Sequence, residues 1–235
     1  MSRVPKLAEP RPWPRKQVLG LMQAILLRRH DLYAIEDVPS RAYIHPNGFK
    51  KIPLGLHLPS NARLFIHVWT DNFTDTDIHN HRWHFASRVI HGALINRIYE
   101  LEGNYGPSSS ELISCRYTPA TDGTTYELRP AYDAPVAAIQ GTIVKLDRMG
   151  AYSQRAEVFH RATSTKDTVT LMSRSLPLGP SACMLLPAGD SRLSTLRNTS
   201  QGMLEVLSQK RVRAEIERVL DLCSAVDGES RVQEQ

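Results

Sequence analysis

Three regimes of hydrophobic patterning divide the chain. Residues 1–14 carry Pro5, Pro10, Pro12 and Pro14 in a mostly polar run. Proline fixes φ and removes a backbone donor, so this stretch predicts an extended arm. From Arg15 to about Arg29, Val18, Leu19, Met22, Ile25 and Leu26 recur at three- and four-residue spacing. That is the stripe of an amphipathic helix. It can pack on the body of the protein, and a homodimer interface needs the same pattern.

Beyond Asp37 the helical period stops and short β-like runs take over. The expected strands are Lys51–Leu58, Arg63–Thr70, Trp83–Ile90, Ala93–Leu101, Glu111–Thr118, Thr125–Arg129, Gly141–Asp147, Val158–Ala162, Thr168–Leu176 and Ala182–Pro187. Turn residues punctuate them: Pro59-Ser60-Asn61, Gly103 to Pro107, Asp122-Gly123, Met149-Gly150 and Pro177 to Pro180. Many short strands without helical crossovers predict a mainly β protein, an antiparallel sandwich or barrel, and not a parallel α/β sheet. Gly103–Ser110 reads as a flexible hairpin tip. Helical character returns at the end, where Asp190 or Ser191 can cap a short turn. Gln201 to about Ala225 reads as a longer helix with Leu204, Leu207, Val212, Ile216, Val219 and Leu220 on one side. The expected organisation is an arm and helix over 1–39, a β-domain over 40–188, and a helical extension with a frayed tail over 189–235.

Composition adds little to this picture. The 235 residues fit one large domain, and 41% hydrophobic with 23% charged is ordinary for a globular protein. The net charge of +5 is uneven. Arg3, Lys6, Arg11, Arg15, Lys16, Arg28 and Arg29 face only Glu9 within the first thirty residues, which leaves the rest near neutral. No nucleic-acid module is expected from that pattern. The apolar run Val18 to Leu27 is too short for a membrane span. Cys115, Cys183 and Cys223 are odd in number and widely spaced, which predicts a reducing, cytoplasmic setting over a disulfide framework.

The candidate chemistry concentrates in Asp75 to Gly92, DTDIHNHRWHFASRVIHG, with His79, His81, His84 and His91. On a strand, His79 and His81 at i and i+2 point to one face, as two converging metal ligands must. A third ligand has to come from elsewhere. His160, in the alternating segment Glu157 to Ala162, is the best candidate, and His57 and His67 compete with it. Asp75 and Asp77 are placed either to hydrogen-bond a ligand imidazole or to sit in solvent. His84 and His91 are expected as bystanders, Cys115 and Cys183 as core residues. No Gly-rich phosphate loop and no GxSxG elbow is present.

These residues resemble the cupin superfamily. The likeness is carried by His79-Asn80-His81, by Gly92 eleven residues on, and by the later His160-Arg161 pair. Ile78-His79-Asn80-His81-Arg82-Trp83 with Phe85 and Ser87 is similar to a group of small, largely uncharacterised bacterial cupins. The resemblance spans about residues 62–176. It implies a double-stranded β-helix, the jelly-roll barrel, with a divalent metal on His79, His81 and His160. The chain departs from the common pattern where a Glu follows the HxH as fourth ligand: Phe85 and Ala86 stand there, and no acidic residue follows His81 until Glu100. A histidine-only site resembles the thiol dioxygenase branch, which implies Fe(II) and O₂. The ligand set alone also suits zinc, nickel or manganese.

If Phe85 faces the interior, so do Ser87 and Val89. Past the turn the inward set is then either Leu94, Asn96 and Ile98 or Ile95, Arg97 and Tyr99. The second choice makes Arg97 a substrate-binding cation and Tyr99 a catalytic phenol. Arg174, on the strand after His160, poses the same question; inward, it asks for an acidic ligand. Together with these residues, the resemblance implies a metal-dependent oxygenase acting on a small anionic molecule. A non-redox isomerase or hydrolase and a non-catalytic ligand- or partner-binding barrel are the alternatives.

Overall fold

The computed structural model describes residues 12, 42–45, 47–54, 63–75, 77–102, 112–119, 126–131, 136–195 and 205–232. Apart from Pro12, the expected arm and amphipathic helix of residues 1–39 lie outside the described residues. So do His57, the turns at 59–61 and 122–123, and the hairpin tip at 103–110.

Two antiparallel sheets make up the body. The first contains β1 (Tyr43–Ile44), β2 (Phe49–Pro53), β3 (Arg63–Trp69), β6 (Phe85–His91), β11 (Ala151–Gln154), β13 (Val169–Arg174) and β15 (Glu205–Val206), in the order β11-β6-β13-β3-β2-β1-β15. The second contains β4 (Phe73–Thr74), β5 (Ile78–His79), β7 (Leu94–Glu102), β8 (Leu112–Pro119), β9 (Tyr126–Pro130), β10 (Ala137–Leu146), β12 (Phe159–Ser164) and β14 (Ala182–Pro187). Its order is β10-β7-β12-β5-β14-β8-β9, with β4 beside β12. The chain changes sheet at β3/β4, β5/β6, β6/β7, β10/β11, β11/β12, β12/β13, β13/β14 and β14/β15. The two antiparallel layers are what the pattern of short runs predicts, and the repeated crossing between them is the winding of a jelly roll, as the resemblance implies.

Gly92 makes one of these crossings possible. It turns β6 of one sheet into β7 of the other at φ 75°. A Cβ there would lie 2.5 Å from Thr168 Oγ1. Thr168 Oγ1 occupies that space because it donates to Ala93 O at 2.9 Å and accepts from Ala93 N at 3.2 Å.

Strand β3 shows why the first sheet reads as an almost unbroken apolar run: both of its faces are covered. Phe65, His67 and Trp69 face the barrel interior. Leu64, Ile66 and Val68 face outward into a cluster with Leu171, Val212, Ile216 and Val219. The last three belong to helix α2 (Gln209–Val232), which lies across the sheet; α1 is the short turn Ser191–Thr195. Each such fully buried aliphatic side chain contributes about 1.5–3 kcal/mol. Ser208 Oγ accepts from Arg211 N at 3.3 Å and caps the start of α2. Lys50, pointing outward from β2, bonds Glu215 on the helix. The helix begins later than the periodicity suggests because Glu205 and Val206 pair with Ile44 and Tyr43 as a strand. Leu207 N then donates to Ala42 O at 2.8 Å.

Candidate metal centre

His79 and His160 face one another in register across β5 and β12. The strand β5 stops at His79, yet the alternation of side chains continues to His81. Asn80 N donates to Cys183 O at 2.9 Å, and Asn80 Oδ1 accepts from Cys183 N at 2.6 Å. These two bonds turn Asn80 toward β14. His81 N donates to Ala156 O at 3.0 Å, and its ring returns to the side of His79. One potential ligand nitrogen from each of His79, His81 and His160 lies within 4.8 Å of the others. Ring centroids are 5.1 Å apart for His79–His81, 4.7 Å for His79–His160 and 5.0 Å for His81–His160.

The donor set fits a divalent cation. His81 Nε2 and His160 Nε2 are 2.9 Å apart. Two nitrogens each ~2.1 Å from one ion sit roughly 3.0 Å apart at a right angle and roughly 3.4 Å at a tetrahedral one. The outer nitrogens are engaged: His160 Nδ1 donates to Asn96 Oδ1 at 2.7 Å, and His79 Nδ1 donates to Asp77 O at 3.2 Å. Those bonds direct the Nε2 lone pairs of both rings to the centre. Burial, followed by the neighbouring imidazoles His160 and His79, holds His81 well below the ordinary histidine range. Burial and then His79 do the same for His160. Both are therefore neutral and ready to ligate at physiological pH. Among the described residues no carboxylate joins the group. Phe85, where the resemblance leads one to look for a fourth, acidic ligand, meets His81 edge-on at 4.9 Å and lies 5.9 Å from His160.

Two hydrogen-bond networks hold these imidazoles. Behind His160, Asn96 Nδ2 donates to Gln154 Oε1 at 3.0 Å, and Gln154 Nε2 donates to Val158 O at 3.3 Å. Behind His79, the Asp77 carboxylate is clamped by Arg192, with Nη1 to Oδ2 at 2.7 Å and Nη2 to Oδ1 at 2.6 Å. Asp190 Oδ1 and Oδ2 accept from the same guanidinium. Asp77 thus serves His79 through its backbone carbonyl, while its carboxylate anchors the loop to α1. Asp75 is buried, and Asp75 Oδ2 accepts from Ala162 N at 2.9 Å.

Arg97 and Tyr99 are not brought to this centre, contrary to the expectation of a cation and a phenol from β7. Asn96 reaches His160, so the inward set is Leu94, Asn96 and Ile98, and alternation turns Arg97 and Tyr99 to the other face. Arg97 Nη1 donates there to Thr163 Oγ1 at 2.8 Å. Arg174 is inside, buried at 7% exposure, with its guanidinium 3.9 Å from the centroid of Trp83. His84 Nδ1 accepts from Ala156 N at 2.9 Å, and His91 Nδ1 donates to Asp167 O at 3.0 Å. Neither belongs to the triad. His67 faces the interior, but its ring packs against Phe49, tilted, at 4.4 Å. Cys115 is fully buried in a cluster with Leu128 and Leu186.

The residue missed from the sequence is Lys51. In Phe49-Lys50-Lys51-Ile52 two adjacent lysines must face opposite ways, and nothing in composition says which goes in. Lys51 does, at 7% exposure, and burial with the Arg174 guanidinium pushes its ammonium well below the ordinary lysine range.

No family model matches the sequence, and no curated protein matches it. Solved structures that resemble the chain include an RmlC-like cupin from Shewanella frigidimarina, at 12% identity over 61% of this chain and 88% of that one, TM-score 0.34. Hydroquinone 1,2-dioxygenase PnpCD, in complex with Cd2+ and 4-hydroxybenzonitrile, shares 16% identity over 60% of this chain and 68% of that one, TM-score 0.34. An oxalate oxidase shares 12% over 84% and 79%, TM-score 0.35. The fold rests on the strand order and register given above. No described helix is long and apolar enough to cross a membrane.

Proposed function

We propose that the protein is a metal-dependent enzyme of cupin type, a non-haem iron oxygenase acting on a small anionic molecule. The observation that carries this reading is the convergence of His79, His81 and His160 on one point with no carboxylate among them. Three neutral ligands leave a bound divalent ion its full charge, and such an ion supplies Lewis acidity and, as iron, a place for O₂. The protein's own part is to hold the rings. Asn96 fixes His160, the Asp77 carbonyl fixes His79, and Phe85 with Trp83 keeps the surroundings apolar. His79 and His81 are only half-buried, so the approach is from their side.

Elemental analysis of the purified full chain, followed by oxygen uptake with candidate substrates, tests this. Stoichiometric iron and uptake that stops in His160→Ala support it. The histidine-only donor set equally suits zinc, and turnover that persists under strict anaerobiosis selects a non-redox isomerase or hydrolase in its place.

A further inference from the structure

The barrel interior contains a group of buried hydrogen-bond donors that the triad does not use. Lys51 Nζ lies 4.6 Å from the centroid of Phe65 and 5.6 Å from that of Trp83. The Arg174 guanidinium lies 5.0 Å and 3.9 Å from the same two rings. Two cationic side chains therefore share one pair of aromatic faces, each at 7% residue exposure. Arg174 Nε and Nη1 are buried without a partner, and so is Trp83 Nε1. No carboxylate bonds Lys51 or Arg174 among the described residues.

Such an arrangement is costly as it stands. Cation–π contacts offset only part of the desolvation of a buried charge that has no acceptor. Every unsatisfied group in the set is a donor, so the missing partner is an acceptor carrying negative charge. Arg174 Nε–H and Nη1–H point to different sides of the planar guanidinium, so with Lys51 beside them they offer separate donors to the oxygens of one anionic group. The walls, Phe65 and Trp83, are apolar rings. Trp83 also joins this group to the triad, since its ring stacks with His81 at 5.8 Å and 25°.

We propose that Lys51 and Arg174, over Phe65 and Trp83, form a binding site for the carboxylate of a small organic acid. Its body then extends past Trp83 toward His79, His81 and His160. This deepens the reading of the protein as an enzyme for anionic molecules and rests on it for the role of the acid as substrate. The site itself is independent of whether metal is bound.

Calorimetric titration of the full chain with acetate, benzoate and inorganic phosphate, with and without added iron or zinc, tests the site. Saturable binding of benzoate or acetate to one site per chain is expected in both forms. Arg174→Met and Lys51→Met each weaken it at least about tenfold, with metal content unchanged. His160→Ala does the reverse, losing metal and keeping carboxylate binding. Should Arg174→Met fail to fold, Arg174→Lys, which keeps the charge and loses the planar set of donors, gives the same readout beside Lys51→Met. Absence of saturable carboxylate binding, wild-type affinity in the Lys51 and Arg174 variants, or a preference for phosphate overturns the proposal. Carboxylate binding that depends on Arg174 in a chain that takes up no metal overturns the metalloenzyme reading and leaves this site standing.

Discussion

His160 Nδ1 lies 2.7 Å from Asn96 Oδ1, and both side chains are buried. Asn96 can accept there only because its amide nitrogen is turned to Gln154. The pair sets the tautomer of His160 and aims Nε2 at the centre. Asn96→Leu removes that constraint with little change in volume. Loss of such a supporting partner typically costs about 10–100-fold in metal affinity. Competition with a chelating dye measures it, and an unchanged affinity means that packing alone orients the ring.

The four histidines of residues 79–91 fall into two functional pairs. His79 and His81 face His160, whereas His84 and His91 bond backbone groups on other segments. His81→Ala is expected to release metal, and His84→Ala to retain it. The His84 variant instead loses about 1–3 kcal/mol, because Ala156 N is left without its acceptor. Metal content and urea denaturation, measured on both variants, separate the two effects. Metal loss in His84→Ala at unchanged stability contradicts the assignment.

Much of the fold was legible because its signals are local. Alternating runs bounded by turn residues report strands, and Gly92 reports a sharp turn where Thr168 leaves no room for a side chain. The triad was legible from His79, His81 and His160 together with a resemblance to a known pattern. What stayed hidden depended on register. Whether Arg97 or Asn96 faces inward is a matter of one residue's shift, which flips every side chain. Both settings place a polar residue inside, so hydrophobicity does not choose between them. Lys51 was hidden for the same reason beside Lys50. The late start of α2 arises from a tertiary contact, the pairing of residues 205–206 with β1, and periodicity does not carry it.

Asp75 gives the stability a defined pH signature. Burial raises its carboxyl above the ordinary value, against lowering contributions from His79 and the Ala162 N–H. A raised folded-state value means that protonation favours the fold. The contribution is fully present below the unfolded value, about 3.9, and is lost as pH rises through the folded one. Asp75→Asn keeps an oxygen for Ala162 N and removes the charge. In the metal-free protein the melting temperature of the variant relative to wild type is expected to climb from pH 4 toward neutrality. A difference that stays flat across that range refutes the argument.

Phe85 packs against the triad at the position where the resemblance leads one to look for a fourth, acidic ligand, and replacing it tests the geometry directly. Its ring meets His81 edge-on at 4.9 Å and is 2% exposed. Phe85→Glu removes a buried ring and inserts an acid among apolar neighbours, Phe65 and Met172. Loss of the ring alone costs about 3 kcal/mol or more, and the uncompensated carboxylate adds to it. The metal-free variant should melt several degrees lower than wild type. With a divalent ion present, the new oxygen can join the three imidazoles, so added zinc should raise the melting temperature of Phe85→Glu more than that of wild type. Phe85→Gln has the same size without the charge. It should show the loss and only the wild-type response to zinc, because a neutral amide is the weaker ligand. Equal zinc responses in all three proteins place the ion away from Phe85 and remove the reason for reading this ring as the substitute for a fourth ligand.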